Sequence, residues 1–353
     1  MQQSDARLQQ RARDRHFIAH CFEEQLLENV ARFEVVAAVE QRDRVGESRI
    51  VFDWRKAHLR DHMRAMIRGV VVFFLLVCNL ILWGTPVLVV GLGKLVTRGE
   101  VRRQIVLVLS KLAEHWVAGN DWIFDRMLTT EWDVEGIDGL RYDGHYLIIS
   151  NHISWVDIFA LFRAFHGHAA FIRFFLKRQL IWMPIAGQAC WALDFPFMRR
   201  YTPEYLEKHP EKRGKDLETT RYSCRRFRKV PAAILNFLEG TRFSREKQAD
   251  QDSPYKHLLR PRVGGIGFVL AAMGEQLDAM FDVTLAYPDH DVTMWAFVTN
   301  RVPRVVIRAR RVEIPPDVID AAVTQTGTPQ REHLKEWIDG LWREKDALLD
   351  SLV

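Results

Sequence analysis

Two side chains suited to acid–base chemistry, His152 and Asp157, follow an apolar run that ends at Ser150. On a continuous helix, five residues would leave these side chains roughly 140° apart. They can meet only if His152 lies in a turn after a strand and Asp157 in the first turn of the next helix. The carboxylate would then accept a hydrogen bond from one imidazole nitrogen, leaving the other nitrogen to take a proton. The spacing predicts a general base with its orienting partner, and the attacking hydroxyl would come from a substrate.

A second polar cluster, Glu239-Gly240-Thr241-Arg242, follows another apolar run at residues 232–235. Gly240 would let the backbone approach a ligand closely, and Arg242 offers a fork of donors for phosphate oxygens. Glu239 is expected to bond a substrate hydroxyl. Each cluster also has a plain interpretation, because the first pair could merely cap a helix and the second cluster could be a surface turn. Together, the two clusters predict one shared site at the ends of two strands.

In this order, Asn151-His152 with Asp157 and the Glu239–Arg242 box resemble the motifs of the glycerolipid acyltransferase family. Enzymes of that family move a fatty acyl group from a thioester to a lysophospholipid or glycerol phosphate. Residues 194–200 are similar to the family's second block, in which an arginine helps to bind the acceptor phosphate, and Arg200 is the better match. Residues 283–288 are similar to the fourth block, which helps to line the pocket.

The resemblance implies a reaction and a set of roles. His152 would deprotonate the acceptor hydroxyl and Asp157 would orient its ring, so that the alkoxide attacks the thioester carbonyl without an acyl-enzyme. Glu239, Gly240, Thr241, Arg242 and Arg200 would bind substrate. Acyl-coenzyme A or an acyl-carrier protein is expected as co-substrate, with no other cofactor and no metal. The expected product is phosphatidic acid or a remodelled phospholipid.

Leu238 stands where proline is usual in the family, and its surroundings resemble a bacterial inner-membrane subgroup. This departure leaves the acceptor headgroup open. Two other functions are weighed against acyl transfer. One is a non-catalytic membrane scaffold that binds anionic lipid through its basic surface. The other is a hydrolase using Ser154 or another serine, which the absence of a Gly-x-Ser-x-Gly elbow disfavours.

Residues 69–93 carry no charged side chain, and this run is longer than the ~20 residues that span a bilayer core. Asn79, Gly84 and Pro86 interrupt the run, and basic residues flank both of its ends. We therefore predict a re-entrant or half-embedded helical hairpin broken near Pro86, rather than a single span. The alternative is a buried helix of a soluble domain. Residues 102–128 read equally well as an interfacial helix or as a core-facing helix.

Six strand-like runs alternate with helix-like segments and predict an α/β fold with a mixed sheet flanked by helices. Residues 330–352 predict an amphipathic helix that packs on the catalytic domain, with membrane binding as the alternative. The predicted strand-like runs are 146–150, 170–176, 232–237, 281–287, 293–298 and 305–309. The predicted organisation is a polar extension 1–65, a membrane-embedded hairpin with an interfacial helix 66–128, a catalytic domain 129–315 and a C-terminal helix 316–353.

Composition limits the remaining choices. The four cysteines are far apart and match neither a disulfide framework nor a zinc site, which fits a reducing, cytoplasm-facing environment. Residues 199–229 are dense in charge, but acidic and basic side chains alternate and the chain carries only +5, which disfavours a nucleic-acid partner. No signal peptide is expected, because the apolar run begins far from Met1. We predict an inner-membrane protein whose catalytic domain faces the cytoplasm. Its extension 1–65 is either a regulatory or docking arm, or a dispensable arm or artefact of an upstream start codon.

Overall fold

The computed structural model describes residues 50–198, 230–288, 292–323 and 329–353. Arg64–Val353 form one compact unit, to which the description below refers. Most of the polar extension 1–65 and the whole charged stretch 199–229, with Arg200, lie outside the described residues.

A six-stranded sheet forms the centre of this unit, with strand order β1-β8-β7-β2-β6-β3. Its strands are β1 Glu131–Glu135, β2 His145–Ser150, β3 Ile172–Phe174, β6 Ala232–Phe237, β7 Ala279–Ala286 and β8 Arg304–Val312, while β4 Leu176–Lys177 and β5 Phe197–Met198 form a separate pair. Strands β7 and β8 are antiparallel, and all other neighbours are parallel. The predicted mixed sheet is therefore confirmed.

Helices cover both faces of the sheet. They are α1 Ile50–Val96, α2 Gly99–Met127, α3 Val156–Phe165, α4 Ala186–Ala192, α5 Arg245–Asp250, α6 Val263–Met273, α7 Met294–Val298, α8 Pro316–Val323 and α9 Pro329–Leu352. Alternate side chains of β2 enter two separate cores, since successive residues of a strand point to opposite faces. Ile148 packs with α1, α2 and α3, whereas Leu147 and Ile149 pack with α6, α8 and α9.

Two strand predictions differ from the structure. Residues 293–298 form helix α7 instead of a strand, because the Thr293 hydroxyl accepts a hydrogen bond from the Ala296 N–H at 3.0 Å and caps a helical turn. Strand β1 was not predicted, since its residues are largely polar and only half-buried. It lies at the sheet edge, where Asp133 pairs with Arg308 of β8 at 2.7 Å.

The predicted break near Pro86 is wrong. Helix α1 continues through Pro86 to Val96, and the chain turns at Thr97 and Arg98 before α2 begins. A proline inside a helix typically costs about 3 kcal/mol or more. Here the helix is held on both sides of the proline, because Leu76 and Val87 are buried in the core. Tertiary packing therefore overrides the local breaker signal.

Helices α1 and α2 form an antiparallel hairpin. Its turn lies at Thr97 and Arg98, whereas the predicted turn lay near Pro86. Midway along the hairpin, the rings of Trp83 and His115 lie 4.8 Å apart. Further from the turn, the Asn79 amide donates to Asn120 Oδ1 at 2.9 Å and to the Trp116 carbonyl at 2.8 Å. The polar residue that interrupts the apolar run thus has its hydrogen-bond partners on the second helix.

Helix α2 faces the core along one side, which fits the core-facing interpretation of residues 102–128. Its buried residues are Val106, Leu109, Ala113, Val117, Asn120, Ile123 and Phe124.

Helix α1, in contrast, leaves most of its apolar surface exposed. Its segment Arg60–Val96 is long and apolar enough to cross a membrane, and only 22% of the most apolar 18-residue stretch is buried. Large apolar side chains such as Phe74, Leu82 and Leu92 are exposed along it.

Helix α9 packs on the sheet, as its amphipathic pattern predicts. Trp342 is fully buried, and its indole N–H donates to the Leu259 carbonyl at 3.0 Å. Lys345 is also fully buried and pairs with Asp282 of β7 at 2.6 Å. Its ammonium additionally donates to the Val283 carbonyl at 2.5 Å. Residues 329–352 are therefore part of the same core as the central strands.

Candidate active site

Three neighbouring strands end at the candidate site. Strand β2 lies between β6 and β7, parallel to both, with Ser150 opposite Phe237 on one side and Val283 on the other. The segments after the carboxyl ends of parallel strands meet at one edge of a sheet, which is where such folds place ligands. Backbone hydrogen bonds tie the first two segments together, from Leu238 N–H to the Ser150 carbonyl at 3.3 Å and from Phe243 N–H to the His152 carbonyl at 2.7 Å.

The His152–Asp157 pair has the geometry that its spacing predicts. His152 follows β2, Asp157 lies in the first turn of α3, and His152 Nδ1 is 2.8 Å from Asp157 Oδ2. The same oxygen accepts hydrogen bonds from the N–H groups of Ile153 at 2.6 Å and Ser154 at 2.9 Å. The carboxylate therefore both caps the start of α3 and holds the imidazole. The two interpretations of the motif are compatible.

The imidazole is held in one orientation. Because Nδ1 faces a carboxylate, it carries the proton in the neutral ring, which leaves Nε2 as the acceptor. The ring stacks on Phe237 of β6, with centroids 4.0 Å apart and planes 16° from parallel. The His152 side chain is 16% exposed, whereas Asp157 is fully buried. Such a base can reach a substrate proton while its partner stays out of water.

Tyr287 and Asn151 were not among the predicted site residues, although both contribute to the site. The Tyr287 hydroxyl, just after β7, donates to Asp157 Oδ1 at 2.6 Å. Burial above all, and then the neighbouring carboxylate, raise the pKa of Tyr287 well above its ordinary value, so the phenol remains a donor. The Asn151 amide both donates to and accepts from the backbone of Leu285, at 2.9 Å each. Asn151 thereby fixes β7, and with it Tyr287, beside residues 151–155, the turn between β2 and α3 that is called the histidine turn below.

The structure places Glu239 in the interior rather than at a surface where it could meet a substrate hydroxyl. Its side chain is fully buried, and Oε1 accepts a hydrogen bond from Leu259 N–H at 3.3 Å. Burial raises the pKa of Glu239 to about 8, although the backbone N–H groups of Leu259 and His152 act in the opposite direction. At neutral pH this carboxyl is therefore mainly protonated. Its position braces the histidine turn against the segment at Leu259.

The rest of the second cluster lies nearer the surface. Gly240 has φ +68°, a left-handed conformation that favours glycine, and it closes a turn through its N–H to the Phe237 carbonyl at 3.0 Å. Arg242 is exposed, and its guanidinium lies 5.3 Å from the ring centroid of Trp155. Lys247, which was not among the predicted site residues, donates to Thr241 Oγ1 at 3.2 Å. Arg242, in the loop that is bonded to the histidine turn, and Lys247, in the following helix α5, thus bring two cations together.

A pH-dependent stability follows from the buried Glu239. The folded-state pKa of about 8 exceeds the ordinary value of 4.5, so the folded protein keeps a proton that the unfolded chain releases. The stability from this group is complete below about pH 4.5 and is lost as the pH rises towards 8. We expect Glu239→Gln to remove this decline. Between pH 5 and pH 8, the unfolding temperature of the variant should rise by a few °C relative to that of wild type. Thermal unfolding midpoints across this range test it, and parallel curves for the two proteins would contradict it.

An oriented base at the carboxyl end of a central strand, with cations nearby, can activate a hydroxyl on an anionic substrate. The comparison with known proteins agrees with this chemistry. Residues 131–287 match the model of the Acyltransferase family, a range that contains all the residues discussed for the site. Residues 131–287 therefore form an acyltransferase domain, of the family that the motifs resemble.

Curated relatives carry related names. This chain is 23% identical over 231 residues to the 1-acyl-sn-glycerol-3-phosphate acyltransferase epsilon of Mus musculus, covering 58% of this chain and 56% of the relative. It is 25% identical over 224 residues to lysocardiolipin acyltransferase 1 of Danio rerio, covering 60% and 53%. An uncharacterized acyltransferase of Schizosaccharomyces pombe is 24% identical over 226 residues, with 59% of each chain covered. The matches thus span less than two thirds of each relative.

A solved structure also resembles the chain. The crystal structure of the 1-acyl-sn-glycerophosphate acyltransferase from Thermotoga maritima aligns with a TM-score of 0.48 and 15% identity. The alignment covers 82% of this chain and 97% of that one.

Proposed function

We propose that this protein transfers a fatty acyl group from acyl-coenzyme A or an acyl-carrier protein to the free hydroxyl of lysophosphatidic acid or a related lysophospholipid. The product is phosphatidic acid or a remodelled phospholipid. The observation that carries the proposal is the 2.8 Å bond between His152 and Asp157, which leaves Nε2 to act on a substrate. The names of the relatives support a lysophospholipid acceptor.

The proposed reaction needs no covalent enzyme intermediate. His152 Nε2 takes the proton of the acceptor hydroxyl as its oxygen attacks the thioester carbonyl. The tetrahedral intermediate collapses, the carbon–sulfur bond breaks, and the imidazolium returns its proton to the departing thiolate. Asp157 stabilises the imidazolium through its buried carboxylate. A positioned base of this kind typically contributes about 10² to 10⁴ in rate.

The acceptor phosphate is proposed to bind at Arg242, in the loop after β6, and Lys247, in the first turn of α5. Arg242 is exposed beside Trp155, and Lys247 donates to the Arg242 carbonyl at 2.9 Å. Their positive charges attract phosphate oxygens, and the guanidinium can do so with two parallel hydrogen bonds. Arg200, outside the described residues, is proposed as a further contact on the strength of the sequence motif.

The proposed location is the inner membrane, with α1 in the lipid and the catalytic unit on the cytoplasmic side. The exposed apolar side chains of α1 support membrane association, because a surface of that kind is rarely left to water. A membrane-bound enzyme would meet its lipid acceptor in the plane of the bilayer and its thioester donor in the cytoplasm.

A product assay tests the proposed activity. The full-length protein in phospholipid vesicles is given lysophosphatidic acid, or another lysophospholipid, with a labelled acyl-coenzyme A or acyl-carrier protein, and the lipids are resolved. Labelled phosphatidic acid, or the corresponding diacyl lipid, is the expected product. Labelled free fatty acid alone would identify water as the acceptor and a hydrolase instead. No turnover of any donor–acceptor pair, with vesicle binding retained, would favour the non-catalytic scaffold.

Tyr287 gives a finer test of the same site. We expect Tyr287→Phe to lower kcat about 3- to 30-fold, because the carboxylate loses a hydrogen bond of the charged kind, typically worth about 1.5–3 kcal/mol. With one donor fewer, the carboxylate attracts the imidazolium proton more strongly, so the acidic limb of the rate profile should move to higher pH. Measuring kcat/KM from pH 5 to 9 checks this. A uniform loss of rate without displacement of that limb would indicate a purely structural role for Tyr287.

A further inference from the structure

Large apolar side chains are exposed on a second segment besides α1. The short 3₁₀ helix Arg178–Trp182 and the following α4 expose Trp182, Met183 and Trp191, by 66%, 38% and 40%. Exposed aromatic side chains concentrated within one segment mark an interaction surface more often than a random scatter would. Nothing in the proposed mechanism uses them.

This segment lies directly against the apolar helix. A Cβ atom at Gly84 of α1 would be 2.6 Å from the side chain of Ile185, and one at Gly91 would be 2.6 Å from Ala192. The two glycines therefore form a seam along α1 into which the segment fits. Any larger side chain at either glycine would push the segment away from the helix.

An ion pair fixes the end of the seam. Lys94 of α1 pairs with Asp194 at 2.7 Å, and both side chains are less than 10% exposed. The same ammonium donates to the carbonyl of Ala192 at 2.6 Å. Because a buried pair of charges is costly to separate, the segment and the carboxyl-terminal half of α1 are held together as one surface.

The neighbouring surface of α1 is apolar. Val89, Leu92 and Leu95 are 65%, 59% and 66% exposed over the length of helix to which the segment is docked. The exposed tryptophans therefore adjoin the part of the molecule that is proposed to lie in lipid. Tryptophan is enriched where a membrane meets water, because its ring is apolar and its N–H finds a polar partner there.

We infer that residues 178–192 form a second bilayer-contacting surface, with Trp182 and Trp191 at the membrane–water interface beside α1. This inference rests on the membrane association of α1 that is part of the proposed function. Arg178 at the start of the segment is exposed, as a basic side chain that binds anionic lipid headgroups would be. The catalytic unit is thereby held against the bilayer by two elements instead of hanging from one helix.

Site-specific photo-crosslinking to lipid tests the inference without using activity. Benzoylphenylalanine is placed singly at Trp182, Trp191, Leu92 and Leu348 in the full-length protein, which is reconstituted into vesicles of phosphatidylethanolamine and phosphatidylglycerol with a trace of tagged phospholipid. Leu348 is the matched control, since it is 37% exposed on α9, on the other face of the sheet. Leu92 reports the insertion of α1.

Crosslinking at Trp182 and Trp191 several-fold above that at Leu348 is expected. If Leu92 crosslinks to lipid while both tryptophan positions remain at the Leu348 level, the second surface is refuted and α1 alone contacts the bilayer. If none of the four positions crosslinks, the membrane association of α1 fails as well. The product assay decides the acyltransferase activity independently of either result.

Discussion

Replacing His152 by alanine is expected to lower kcat for acyl transfer about 10²- to 10⁴-fold, which is what a positioned general base contributes. The variant keeps Asp157 fixed, because the carboxylate still accepts hydrogen bonds from Ile153, Ser154 and Tyr287. The fold should therefore survive the loss of the imidazole, and KM for the lipid acceptor should change little. Initial rates with equal amounts of folded protein in vesicles provide the measurement.

A second histidine offers a matched control. His166 also bonds an aspartate, with Nδ1 3.2 Å from Asp121 Oδ2, but it lies at the other end of α3 from the site. The His166→Ala variant should retain activity close to that of wild type. Equal rates for the His152 and His166 variants would remove His152 from the mechanism.

Replacing Trp342 by alanine is expected to destabilise the folded protein by about 3–5 kcal/mol, the usual cost of truncating a buried tryptophan. The indole is fully buried in the core between α9 and the sheet, and its N–H satisfies the carbonyl of Leu259. Leu259 in turn bonds the buried Glu239 beneath the histidine turn. The variant should lose both a large apolar contact and the support of this segment. Denaturant unfolding in detergent, followed by circular dichroism, measures the change.

Trp337 is the control for this substitution. It lies on the same helix and packs against the same core, but it is only half-buried. The loss of stability in Trp337→Ala should be clearly smaller than in Trp342→Ala. If both variants unfold at the same denaturant concentration, α9 does not stabilise the sheet through the buried indole.

The central strands could be predicted from sequence because each is buried on both faces. Strands β2, β6 and β7 therefore read as largely apolar runs, and predicted and observed bounds differ by at most two residues. Strand β1 lacks that signal, since its partner is a single neighbour at the sheet edge. Pro86 predicts a helix break that does not occur, because contacts on both sides of it keep helix α1 continuous.

The site shows the same division between local and distant contacts. The His152–Asp157 bond spans five residues and one turn, so a local spacing could suggest it, and the second cluster and the family resemblance strengthened the prediction. The Tyr287 bond to Asp157 joins residues 130 positions apart and depends on the register of β2 with β7. No sequence pattern within either segment encodes that register. The burial of Glu239 likewise depends on Leu259 and the α9 core, which the motif around it does not contain.

The strand order also bears on when the protein becomes functional during its synthesis. Strand β2 occupies the middle of the sheet, yet its partners β6 and β7 leave the ribosome long after it, and α9, which completes one of the two cores, leaves later still. Pairing over such sequence distances is slow and leaves apolar strand edges exposed in the meantime. Helix α1, by contrast, emerges before the strands, and its backbone hydrogen bonds lie within the helix, as the proposed insertion into a bilayer requires. The nascent chain would thus be anchored before it can catalyse, and a chaperone that shields β2 until β7 arrives would raise the yield of active enzyme more than one acting on α1.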